Sequence, residues 1–207
     1  MAKKTISGQH NGFEFVEIGG IKWATCNVGA EKPSDKGLYF QWGDRKGYTI
    51  GEVGKAKFFD WNDYKHHNGK RLTKYTEFDN KQVLDLCDDA AFAYMGQGWR
   101  MPTKDNFRCL IESTTQRWTY NYQCNGVAGM VFRDRTDATK ELFFPAAGHC
   151  VDGKVQSVGN IGNYWSMSIM IGNILGAYKM FSTNHFFHSD YGNLRCCGLP
   201  IRGILTL

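Results

Sequence analysis

Proline is scarce in this chain, 4 among 207 residues, and no apolar run approaches the roughly 20 residues that a membrane helix requires. No membrane span is predicted. Met1-Ala2-Lys3-Lys4-Thr5 leads into polar residues instead of the apolar stretch of a signal peptide. The seven cysteines (Cys26, Cys87, Cys109, Cys124, Cys150, Cys196 and Cys197) form an odd set without a C-x-x-C pair, which favours reduced thiols over a disulfide framework. Ser-His-Asp spacing, a phosphate loop and G-x-G-x-x-G are also missing, so no enzyme is predicted. Asp88 and Asp89 fall on a predicted helix without an identifiable partner. His149 beside Cys150, and His185 three residues before His188, lack the further ligands of a structural zinc site, so no metal and no cofactor are predicted.

A charge of +5 and a pI near 8.8 are mildly basic, but Lys and Arg are interspersed with Asp and Glu through the first two thirds. Nucleic-acid binding is not implied. The basic stretch Lys65 to Arg71 reads as a solvated turn. A length of 207 residues suits one domain, with a core large enough to need no staple. Frequent glycine, 24 residues, and 14% aromatics suit short strands joined by tight turns.

Phe13 to Ile18 alternates apolar and charged residues, Gly19-Gly20 makes a turn, and Ile21 to Thr25 resumes the alternation, which predicts a hairpin. Gly37 to Asp44 predicts a short aromatic strand. Residues 45–79 read as a long surface excursion with exposed aromatics and little regular structure. Val83, Leu84, Cys87, Ala90, Ala91, Tyr94 and Met95 fall at helical spacing before Gly96. A second helix starts at the capping Thr103, buries Phe107, Leu110 and Ile111, and ends near 113–115. Strands are predicted over 127–132, 141–148, 164–168, 177–182 and 199–205. A hairpin, two helices and then strands, without βαβ alternation, imply an α+β domain with a mostly antiparallel sheet, two helices and long loops.

From Ser168 to Leu194 only Lys179 and Asp190 are charged, and the apolar residues follow neither a strand nor a helix period. Some of them are therefore expected to face outward. Tyr178, Met180 and Phe181 are assigned instead to a strand with a buried face, and Arg100 and Arg202 to fold-supporting bonds.

Several motifs recur together: Gly37-Leu38-Tyr39-Phe40-Gln41-Trp42-Gly43, Gly98-Trp99-Arg100-Met101-Pro102-Thr103, Leu142 to Gly148, Asn163-Tyr164-Trp165-Ser166, and Gly198-Leu199-Pro200-Ile201-Arg202. In this order the chain resembles the Fibrobacter-succinogenes-type major paralogous domain from about residue 12 to 205. The resemblance implies a C-type lectin-like fold over 1–207, and kinship with the variable proteins of diversity-generating retroelements in bacteria and phages. In those systems adenines of a template repeat are replaced during reverse transcription, so that Asn codons in a C-terminal segment become many other residues. That segment corresponds here to about 164–202.

The residue types fit such an origin. Ile169, Ile171, Ile174, Leu175, His185, Phe187, His188, Asp190 and Leu194 are all types reachable from an Asn codon by changing adenines, Asn173, Asn184 and Asn193 are retained, and Tyr191 of the same run is assigned to the surface with them. Met167, Met170, Lys179 and Met180 are not reachable and are assigned to fixed positions. The resemblance thus implies a display protein whose ligand-binding residues are those thirteen, facing a protein or cell-surface ligand, with phage or prophage receptor binding as the setting. A surface this apolar is equally suited to cover itself against a second copy. Calcium-dependent sugar binding is not expected, because Trp165 is followed by Ser166-Met167 without the oxygen ligands a hard cation needs. Two other readings remain open: a fimbrial-tip or cell-surface adhesin, and an oxidoreductase of the formylglycine-generating type using Cys196 and Cys197. Cytoplasmic synthesis is expected, followed by virion association, or by cell-surface display where a signal has been removed.

Overall fold

The chain opens with an antiparallel meander of β1 (Gly8–His10), β2 (Phe13–Ile18) and β3 (Ile21–Asn27). Gly19 and Gly20 join β2 to β3 with φ of 60° and 73°, the left-handed pair that a two-residue hairpin turn demands. The computed structural model describes residues 5–207.

The remaining elements, in order, are α1 (Ala90–Met95), β4 (Trp99–Arg100), α2 (Lys104–Ser113), β5 (Thr114–Thr119), β6 (Gly129–Asp134), β7 (Glu141–Pro145), β8 (His149–Val151), β9 (Lys154–Gln156), β10 (Gly162–Ile169), β11 (Gly176–Ser182), β12 (Phe187–Leu194) and β13 (Arg202–Leu205). Among the described residues four sheets result, β1-β2-β3-β13-β4, β5-β6-β7, β8-β9 and β10-β11-β12, with every strand pair antiparallel. Strand pairing involves 38% of residues and helix 11%, so the α+β class is corrected to predominantly β. The antiparallel pairing and the two α-helices are present, but the helices are too short to form a layer of their own. α1 has 6 residues where the spacing predicted a helix from Val83, because Leu86–Asp88 is a separate 3-10 turn and Asp89 caps α1 by accepting from the Phe92 amide.

Helix α2 follows its local chemistry closely. The Thr103 hydroxyl accepts from the Asn106 amide, and the Asn106 side chain accepts from the Thr103 amide, a reciprocal cap. Phe107 and Leu110 face the core, while Ile111 is half-buried.

Strands β10 and β11 lie between two cores, which explains why Gly162 to Ser168 are all buried. Tyr164 and Met180 face Trp23, Phe107 and Phe144, while Trp165 and Ala177 face Trp42, Trp99 and Leu199. Of the three residues assigned to a buried face, only Met180 is buried, and Tyr178 and Phe181 are half-buried. Arg202 is fully buried and donates to the carbonyls of Ala24, Thr25 and Phe143, while Arg100 pairs with Asp89 at 2.8 Å.

Three local expectations are corrected. Gly37 to Asp44 forms only isolated bridges, Tyr39 with Tyr48 and Phe40 with Leu199. Residues 45–79 do lack helices and named strands, but Tyr48, Phe59, Tyr64 and Tyr75 are buried instead of exposed. The Asp63 carboxylate holds that segment together by accepting from the amides of Phe58, Phe59 and Asp60 and from Gln41 Nε2. Finally, β12 occupies a stretch for which no strand was predicted, paired to β11 along its whole length. No helix among the described residues is long and apolar enough to cross a membrane.

Candidate ligand-binding surface

The three-stranded sheet β10-β11-β12 carries the predicted site residues, and none of the thirteen is buried. Ile169 and Asn193 are half-buried, and the other eleven are exposed. They do not form one cluster. The turn 170–175 and the turn 183–186 lie at opposite ends of β11, a seven-residue strand about 20 Å long.

At the first end Ile171 is 79% exposed, with Ile174 and Leu175 beside it. Leu194 pairs across from Gly176 and Asn193 from Ala177, so both join this group. Asn173 is partly committed to the turn itself: its side-chain oxygen accepts from the Leu175 amide at 3.1 Å, and its carbonyl accepts from the Gly176 amide. Under the turn lies the guanidinium of Arg195, fully buried, 4.8 Å above the Trp42 ring. Arg195 Nε donates to the Gly176 carbonyl at 3.3 Å, its Nη1 to the Tyr75 carbonyl at 2.9 Å, and its amide to the Leu175 carbonyl at 3.0 Å. The exposed apolar turn therefore stands on a rigid, charged base.

At the second end Thr183 Oγ1 accepts from the amides of His185 and Phe186, closing the turn. Phe186 and Tyr120 are strongly exposed, and Asn184 Nδ2 donates to the Tyr120 hydroxyl. Neither Phe186 nor Tyr120 was among the predicted site residues. The residue types around Phe186 gave a usable signal, whereas Tyr120 joins only through the fold.

A stripe on β11 and β12 links the ends. Tyr191 stacks on Phe181 with centroids 5.0 Å apart, and His188 lies 5.6 Å from Tyr191. The pairing register shifts between Lys179 and Phe181, leaving Ser189 and Asp190 together opposite Met180. This bulge turns Asp190 outward.

Beneath the stripe Lys179 is buried, its ammonium donating to Asn163 Oδ1 at 2.6 Å and lying 5.4 Å from the Phe181 ring centroid. Burial lowers its pKa to about 8, with Cys197 opposing the shift. Cys150, Cys196 and Cys197 are buried free thiols nearby.

Asp85, Cys87 and Asp88 bring three potential metal ligands within 4.8 Å of one another. An ammonium already serves them: Lys74 Nζ stands 2.8 Å from Asp85, 2.5 Å from Asp88 and 3.7 Å from the Cys87 sulfur. Asp88 also accepts from Lys65 and the Tyr75 hydroxyl, and Asp89 from Arg100 and the Met101 amide. The expectation that these two carboxylates lack partners is thus overturned, since both tie loops to the core. Burial pushes the Asp88 carboxyl up, but the bonds from Lys65, Lys74 and Tyr75 outweigh it and hold the group well below the usual carboxylate range.

Compared with family models, with curated proteins and with solved structures, the chain finds no match.

Proposed function

We propose that this chain is a binding module that displays an exchangeable set of side chains on a fixed sheet, in the manner of the retroelement variable proteins it resembles. One observation carries the reading. Within a single sheet, Gly162 to Ser168 and most of β11 are buried between two cores, while the turn 170–175 exposes Ile171, Ile174 and Leu175, and β12 exposes Phe187, Tyr191 and Leu194. Isolated exposed apolar residues are ordinary on a protein surface, but a run concentrated on one sheet is typical of an interaction site. Aromatics such as Phe186 and Tyr191 offer contact area at low cost in conformational entropy, and Ser and Asn offer adaptable hydrogen bonding. The ligand class supported is a protein or cell-surface component, with phage or prophage receptor binding as the setting.

The gene neighbourhood provides the test. A near-copy of the codons for 164–202, differing only at adenines and accompanied by a reverse transcriptase gene, is the expected finding. Absence of both would sink the proposal.

A further inference from the structure

Two recesses flank the turn 170–175. One, of about 290 Å³, lies between Ile169, Ile171 and Tyr178 on one side and Lys81 and Lys104 on the other. The second, of about 660 Å³, has the turn's Ile174 and Leu175 as one wall and residues from the 68–78 segment as the other. That second wall lies outside the segment expected to vary.

The larger recess is built, in that both of its walls hang from one buried group. Arg195 reaches the turn through the Gly176 carbonyl and the 68–78 segment through the Tyr75 carbonyl. Asn68 Oδ1 accepts from the amides of Lys70 and Arg71, which sets the tip of the second wall. Phe78, 84% exposed, is the most exposed large apolar side chain among the described residues. Lys70 and Arg71 are exposed, and neither makes an ion pair among the described residues. Against these two cations the lining contains one acid, Glu77. Lys104, beside the smaller recess, likewise has no carboxylate partner among the described residues, its ammonium resting 4.6 Å from the Tyr178 ring centroid.

A groove with apolar walls and a rim on which the cations outnumber the acid by one is complementary to an anionic apolar ligand. We infer that the larger recess is the constant half of the binding surface, and that it takes a partner-protein segment carrying an aspartate or glutamate beside an aliphatic or aromatic residue. The carboxylate meets Lys70 and Arg71, and the apolar side chain packs between Phe78 and Leu175. This inference rests on the display reading. It adds that exchange of the turn alters which apolar side chain fits, while the preference for acid persists.

A displayed library of random peptides, panned against the full chain, supplies the probe. Enriched peptides are expected to place Asp or Glu near Leu, Ile, Phe or Trp. Their synthetic forms are expected to lose about tenfold in affinity for the Lys70→Glu/Arg71→Glu variant and to regain it when the peptide acid is changed to Lys. Neutral or basic enriched peptides, no enrichment, or unchanged affinity for the double variant would overturn the inference. So would an unstructured oligonucleotide that displaces the peptides with similar affinity, because it would assign the basic rim to nucleic acid. An Ile171→Ser/Ile174→Ser/Leu175→Ser variant separates the two readings. If it loses binding while the charge-reversed variant retains it, the display surface stands and only the acidic-segment inference falls. If both variants bind like the parent, both readings fall.

Discussion

Lys179 gives its short hydrogen bond, 2.6 Å, to the side-chain oxygen of Asn163, and among the described residues it has no carboxylate in ion-pairing range. A buried ammonium satisfied by one neutral acceptor is costly, and burial accordingly lowers its pKa to about 8. With the folded value below the unfolded one, the unfolded chain binds more protons between those two values. Stability from this group therefore rises with pH across that window, and the full penalty is present below it. Tyr39, Tyr64, Tyr75 and Tyr164, whose pKa values burial raises, act in the opposite sense at higher pH, so the effect is cleanest as a difference from a variant. Stability of Lys179→Met relative to the parent is expected to fall by about 2 to 3 kcal/mol between about pH 7 and about pH 10, measured by urea unfolding. A difference independent of pH would mean that the amine titrates normally.

Arg195→Met removes the donor that holds the 170–175 turn and the Tyr75 carbonyl. A loss of about 3 kcal/mol in urea unfolding is expected, with faster hydrogen exchange at the Met170 and Gly176 amides that close the turn. Arg195→Lys should recover little of it, because a single ammonium cannot reproduce the planar fork or its stacking on Trp42. Full recovery by lysine would show that charge alone matters there.

The surface side chains should behave in the reverse way. Ile171→Ser, Leu175→Ser and Phe187→Ser are each expected to shift stability by about 0.5 kcal/mol or less, and Tyr191→Ser by about 1 kcal/mol through loss of its stack on Phe181. Thermal melts of the single variants and of the fourfold variant check this. A collapse of the melting temperature would place these residues in the core.

Asp88→Asn tests the ammonium cluster. The depressed carboxyl contributes stability above its unfolded pKa that is lost as pH falls toward the folded value. The variant is expected to lose about 3 kcal/mol at neutral pH, since Lys65 and Lys74 lose a buried partner, and to show a flatter acid limb in a stability-pH curve. An acid limb parallel to that of the parent would exclude Asp88 as its source.

Local chemistry made some of this legible in advance. The capping Thr103 and the Gly19-Gly20 turn are short-range signals, and both elements appear where they were expected. The rest depended on contacts distant in sequence. Asp190, Gly192 and Asn193 are poor strand formers, yet β12 forms because β11 offers a paired edge. Phe58 and Phe78 are exposed as expected, but Tyr48, Phe59, Tyr64 and Tyr75, which no period organised, are buried by residues outside the segment, as Tyr75 is against Trp42 and Phe59 beside Cys150. Arg195 did leave a trace: it and Arg202 are the only charges from 195 to 207, and both proved fully buried. That the thirteen predicted residues stand at the surface was legible in the missing period, but their arrangement was not. A linear run cannot show that residues ten positions apart stand at opposite ends of one strand.

Main-chain bonds fasten β12 to its neighbour along its length, with the stack of Tyr191 on Phe181 added, and under the proposed display function that has a population-level meaning. Sequences differing at Phe187, His188, Asp190 and Leu194 draw on the same backbone pairing, so lineages diverging there would share nearly one melting curve. Natural selection can then sort such lineages by what they hold, with folding left almost neutral. Affinity becomes a heritable variable, and stability stays close to a constant.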